Sequence, residues 1–79
     1  MSEANPAILV RLVKNNERKS YRLDYSEAFS SWYYVSSFVE GRVEKLPSLE
    51  HAIARRILVD DEVAQLLQQG WSHVLDSVA

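Results

Sequence analysis

The sequence contains no cysteine, so it can form neither a disulfide nor a thiol nucleophile, and a reducing cytoplasm is the expected location. Its two glycines, Gly41 and Gly70, are too few for a glycine-rich phosphate loop or a nucleophile elbow. The longest apolar run, residues 7–10, is far too short to span a membrane, and the start of the chain has no secretory signal pattern. We therefore expect one small domain, residues 1–79, with no membrane contact.

The residues that usually carry catalysis are sparse. His51 and His73 are far apart in the sequence and belong to no metal-binding motif. Residues 60–62 are three adjacent acids, and adjacent acids on a helix point in different directions, whereas catalytic carboxylates converge on one cleft. The sequence therefore predicts no catalytic site, no metal site and no cofactor, and it favours a binding protein over an enzyme.

The first half of the chain has the two-residue alternation of β-strands. Residues 7–13 alternate in this way, and the two asparagines within residues 14–18 indicate a turn. Further strands are predicted around residues 21–25, at residues 32–39 and, as a short fourth strand, at residues 42–45. A loop at residues 26–31 separates the second strand from the third.

The period changes to that of a helix after Pro47. Ser48 is the expected N-cap, and Leu49, Ala52, Ile53 and Ile57 recur at helical spacing. The acids at residues 60–62 either interrupt this helix or start a second one, and Gly70 should end or kink it. Helix and a short terminal strand are competing predictions for the residues that follow.

Strands before helices favour an α+β fold. The sequence predicts a small antiparallel sheet of three to four strands at about residues 7–45. One or two C-terminal helices, at about residues 48–79, would then pack on one face of the sheet.

Positive charge is concentrated in the first hairpin. Between Arg11 and Arg22 there are five cations and one acid, whereas the chain beyond residue 46 is acidic, and the net charge is −2. A basic patch of this kind can attract phosphate. The alternative is that the cations keep an edge strand soluble and prevent it from pairing with other chains.

Aromatic residues are concentrated in the middle of the chain, where seven of the eight lie between Tyr21 and Phe38. On the third strand, Trp32, Tyr34 and Phe38 share one face, and Tyr33 shares the other with two valines. Because a chain this short supplies only one helical layer, one of these rows should lack a helical cover. Such a row can bind a partner. Alternatively, the loop at residues 26–31 or a homodimer partner covers it.

The order of these features resembles the WGR domain. Tyr21-Arg22-Leu23, residues 29–35, Gly41-Arg42, residues 48–52 and Gly70-Trp71 are similar to successive motifs of that family, and the resemblance covers roughly residues 9–71. The resemblance implies a sheet with one helix against it and nucleic-acid contact through the signature segment, which here includes Arg42. Glu40 stands where the family has its tryptophan, and a carboxylate there would repel phosphate.

Two functions follow from the sequence. The first is a WGR-like module that binds nucleic acid through a basic hairpin and an aromatic strand. The second is a protein-binding adaptor or inhibitor, of the kind that phages and mobile elements encode, which would use the tyrosine and tryptophan row. The candidate binding residues are Arg11, Lys14, Arg18, Lys19, Arg22, Trp32, Tyr34, Phe38, Arg42 and Lys45.

Overall fold

Alternation along the first half of the chain produces strands, and the described strands form one antiparallel sheet. The computed structural model describes residues 5–36 and 43–74. The elements are β1 (Ile8–Lys14), β2 (Glu17–Ser26), β3 (Ser31–Ser36), β4 (Glu44–Leu46), α1 (Leu49–Gln68) and β5 (Ser72–His73). The strand order across the sheet is β4-β3-β2-β1-β5, and every neighbouring pair is antiparallel. The predicted α+β class, with helix following sheet, is confirmed.

The two N-terminal hairpins have turns that suit their residues. Asn15 and Asn16 form a two-residue turn between β1 and β2, in which Asn15 has a φ of 56°. Asparagine tolerates this left-handed conformation better than most residues, so the predicted turn is confirmed. Ser30, with a φ of 50°, ends the turn between β2 and β3, where its backbone N–H donates to the carbonyl oxygen of Glu27.

Helix α1 begins at its expected cap and is continuous through the acidic residues. The Ser48 side chain accepts a hydrogen bond from the backbone N–H of His51, which satisfies a free donor of the first turn. Val59 and Val63 are buried on either side of residues 60–62, so the apolar face that holds the helix against the sheet is uninterrupted. One helix therefore forms, and no second helix starts at these acids.

The chain turns back to the sheet after α1. Gly70, at a φ of 105°, reverses its direction, and Trp71 then packs into the core. Ser72 and His73 pair with Val13 and Leu12 of β1, so the short strand forms and not a further helix. This strand comes after the helix, and it raises the number of strands in the described residues to five, one more than the expected maximum. Residues 75–79 of the predicted helical part lie outside the described residues.

The hydrophobic core lies between α1 and one side of the sheet. The buried residues from the sheet are Leu12, Tyr21, Leu23 and Leu46, and they meet Ala52, Val59, Val63 and Trp71. Fully burying a large side chain of this kind stabilises the fold by about 1.5–3 kcal/mol. Trp32 and Tyr34 are half-buried against the same core. The helix therefore covers the row that contains Trp32 and Tyr34.

Candidate functional site

The other side of the sheet is covered by none of the described elements, and we call it the open face. Successive side chains of a strand point to opposite sides, and directly paired residues point to the same side. Leu12, Tyr21 and Leu23 point toward α1, so their sequence neighbours belong to the open face. The charged and large apolar members of the open face are Leu9, Arg11, Val13, Arg18, Arg22, Asp24, Tyr33, Val35 and Lys45.

Positive charge dominates the open face. Its cations are Arg11, Arg18, Arg22 and Lys45, and its carboxylate among the described strand residues is Asp24. The Arg22 guanidinium lies 3.8 Å from that carboxylate, and both side chains are about half exposed, so water screens this pair strongly. The opposite surface of the molecule, the exterior of α1, presents Glu50, Asp60 and Asp61. The two surfaces of the molecule therefore have opposite charge.

Cations and aromatic rings alternate along one line of the open face. The Arg22 guanidinium lies 5.5 Å from the centre of the Tyr33 ring. Tyr33 is directly paired with Lys45, and the Lys45 ammonium lies 4.4 Å from the centre of the Phe29 ring. Phe29 belongs to the turn between β2 and β3, and 60% of its surface is exposed. We call these four residues, Arg22, Tyr33, Lys45 and Phe29, the cation–aromatic row.

The basic hairpin is divided between the two sides of the sheet. Arg11, Arg18 and Arg22 point to the open face, whereas Lys14 and Lys19 point to the side of α1. The ammonium of Lys14 lies 2.9 Å from the carbonyl oxygen of Gln69, at the end of the helix. Lys14 therefore stabilises the fold and does not contribute to the open face.

The aromatic candidates lie mostly on the covered side. Trp32 packs edge to face with Tyr25, with ring centres 5.5 Å apart. Tyr34 lies beneath the Arg55 guanidinium, which is 4.5 Å from its ring centre, and burial raises the pKa of the Tyr34 hydroxyl. Neither ring belongs to the open face. Two further candidates, Phe38 and Arg42, lie outside the described residues.

Two residues of the cation–aromatic row were not among the candidates. Tyr33 is on the row opposite to Trp32, and alternation alone cannot show which of two aromatic rows a helix will cover. Phe29 lies in a turn, where strand alternation does not indicate the direction of a side chain. Leu23 faces the helix and pairs with Tyr34, which places Tyr34 on the covered side, but this register is known only from the structure.

An ion pair on the covered side, between Arg55 of α1 and Glu44 of β4, connects the helix to the sheet. Arg55 donates two hydrogen bonds to the Glu44 carboxylate, at 2.7 and 2.8 Å. These hydrogen bonds from Arg55 lower the pKa of Glu44 and raise the pKa of Arg55. The contact explains why this arginine of α1 is held against the sheet and is not directed outward.

The described residues provide no group of three or more histidine, cysteine or acidic side chains that could hold a metal ion. Within the same residues, α1 is not apolar enough over its length to cross a membrane. Comparison of the chain with family models, curated proteins and solved structures gives no match. The similarity to the WGR domain therefore stays a prediction.

Proposed function

We propose that this chain is a small non-enzymatic module that binds nucleic acid through the open face. The observation that carries the proposal is that the described strand residues of the open face include four cations and one carboxylate. Arginine and lysine side chains that contact phosphate oxygens supply most of the affinity of nucleic-acid binding proteins.

The overall negative charge of the chain does not oppose this function. The exposed acids Glu50, Asp60 and Asp61 lie on the exterior of α1, on the far side of the molecule from the open face. At physiological salt, charges separated by more than about 8 Å of solvent are largely screened. A phosphate backbone at the open face would therefore meet mainly the local positive charge.

A protein-binding adaptor or inhibitor is the second candidate function. The exterior of α1 exposes the large apolar residues Ile57 and Leu58, with 57% and 61% of their surfaces accessible, beside Asp60 and Asp61. Exposed apolar side chains with charged neighbours are typical of protein interfaces. This surface would select a basic protein and would leave the open face unused.

Neighbouring residues on opposite sides of β2 provide the test. Arg18 points to the open face and Lys19 to the other side, so Arg18→Gln and Lys19→Gln remove the same charge one residue apart. Binding of fluorescent oligonucleotides would be measured by anisotropy between 50 and 200 mM salt. We expect Arg18→Gln to reduce the slope of log affinity against log salt by about 1, and Lys19→Gln to leave it unchanged.

Two results would contradict the proposal. One is the absence of binding to any oligonucleotide at 50 mM salt. The other is an equal change in the salt dependence of affinity for the two substitutions. That result would show that the net charge of the protein, and not the open face, attracts the nucleic acid.

A further inference from the structure

We infer that the nucleic acid bound at the open face is single-stranded, with bases stacked on Tyr33 and Phe29 and phosphates at Arg22 and Lys45. This inference rests on the proposed function and specifies its ligand. The cation–aromatic row carries it, because each of its two rings has a cation against it.

The row is continuous across three neighbouring strands. Arg22 on β2 contacts Tyr33 on β3, Tyr33 is paired with Lys45 on β4, and Lys45 contacts Phe29 at the adjoining turn. Asp24 is the residue of β2 paired with Tyr33, so the row crosses the sheet diagonally, from Lys45 past Tyr33 to Arg22. Adjacent strands are about 4.8 Å apart and each residue rises about 3.4 Å along a strand, so the backbones of Arg22 and Lys45 are about 12 Å apart on this diagonal. One strand of nucleic acid on this diagonal would meet cations and rings in alternation, with the Asp24 carboxylate partly neutralised by Arg22.

A flat ring on a sheet favours unpaired bases. Within a duplex, neighbouring base pairs cover the faces of each base, so a protein ring cannot stack on a base without opening the helix. Single-stranded binding proteins combine cations that follow the backbone with aromatic side chains on which the bases stack. The open face has both components, and in the cation–aromatic row they are in contact.

The rest of the molecule does not suit a duplex. Duplex grooves are usually read by an α-helix or a two-stranded ribbon that enters between two phosphate backbones. The exterior of α1 carries Glu50 and Asp61, which would repel phosphates, and Asp60, whose carboxylate is ion-paired with Arg56. The described sheet is five strands wide, whereas the β structure that fits within a major groove is a two-stranded ribbon.

Phe29 provides the sharpest test, because a residue that is 60% exposed in a turn can be changed with little effect on the core. Tyr25 is the matched control, since it is an aromatic residue with 47% exposure on the covered side of the sheet. We would measure the affinity of wild type, Phe29→Leu and Tyr25→Leu for an unstructured labelled oligonucleotide and for a duplex of the same length. Circular dichroism would confirm that each variant is folded.

We expect tighter binding to the single strand than to the duplex. Phe29→Leu should weaken single-strand binding at least fivefold and leave duplex binding unchanged, because stacking on one base contributes about 1–3 kcal/mol. Tyr25→Leu should change neither affinity. Tyr33→Phe should keep single-strand affinity within about twofold of wild type, because the stacking ring is retained.

Other outcomes separate the inference from the proposed function. Equal affinity for both ligands, or equal losses for Phe29→Leu and Tyr25→Leu, would overturn the single-strand inference. The proposed function would then still stand if Arg18→Gln weakens binding and Lys19→Gln does not. Absence of binding to both ligands at low salt would overturn the two together.

Discussion

The ammonium group of Lys14 lies 2.9 Å from the carbonyl oxygen of Gln69, so a strand residue supplies the positive charge at the end of α1. The last turn of the helix contains no basic residue of its own. Carbonyl oxygens at a helix C-terminus lack partners within the helix and carry partial negative charge. Lys14 therefore joins the end of the helix to the sheet.

Replacing Lys14 by methionine should destabilise the fold. The substitution keeps an apolar stem and removes both the charge and the hydrogen bond, so we expect the free energy of unfolding to fall by about 0.5–1 kcal/mol. Urea unfolding followed by circular dichroism would measure the change. Lys19→Met, on the same side of the sheet, should remain within about 0.5 kcal/mol of wild type. Equal losses in the two variants would contradict this role of Lys14.

The hydrogen bond from the Tyr21 hydroxyl to the Glu62 carboxylate connects β2 to α1. Tyr21→Phe keeps the buried ring and removes only this bond, so we expect a loss of about 1 kcal/mol at pH 7. Glu62 is on the exposed part of the helix and regains water in the variant, which limits the cost. Urea unfolding of the two proteins at pH 7 would measure the difference, and unchanged stability would show that the bond contributes nothing net.

The same pair makes stability depend on alkaline pH. Burial, and then the hydrogen bond to Glu62, raises the pKa of Tyr21 above the ordinary value of about 10. Below about pH 10 the hydroxyl keeps its proton in both the folded and the unfolded state, so its contribution to the free energy of unfolding is fully present. Above it the unfolded chain loses the proton first, and the free energy of unfolding falls as pH rises. The free energy of unfolding, measured from pH 8 to 11, should fall less steeply for Tyr21→Phe than for wild type. Parallel curves for the two proteins would contradict this assignment to Tyr21.

Gly70 should be difficult to replace because of its backbone conformation. A Cβ at this position would lie 3.7 Å from the Lys14 side chain, an ordinary contact, but the φ of 105° is strained for any residue with a side chain. We expect Gly70→Ala to cost about 1–2 kcal/mol of stability, measured by thermal or urea unfolding. Gln69→Ala, one residue earlier at a φ of −87°, should cost less than 0.5 kcal/mol, and a similar loss in both would indicate a different cause.

Much of the fold could be predicted from local chemistry. The asparagine turn, the Ser48 cap and the end of the helix near Gly70 each depend on the preferences of one or two residues, and the structure has all three. The strand β5 could not be assigned in the same way. Trp71 fits a helical stripe equally well. Only its burial in the core, together with the pairing of Ser72 and His73 to β1, decides between helix and strand.

The candidate surface could be predicted only in part. The excess of cations near Arg11 and Arg22 is visible in the sequence, but alternation sends Lys14 and Lys19 to the other side. The aromatic row of the third strand was visible too, although the choice between Trp32 and Tyr33 depends on where α1 packs. That position is a long-range property of the fold, and no local pattern encodes it.

The pairing of β1 with β5 sets the order in which the sheet can be completed. Strands β1 to β4 follow one another as a simple meander, so their contacts close short loops. Leu12 and His73 come from opposite ends of the chain, and bringing them together costs more chain entropy. The meander can therefore assemble before the last strand joins it, and the two-residue β5 is the part of the sheet that should open first when the native protein fluctuates.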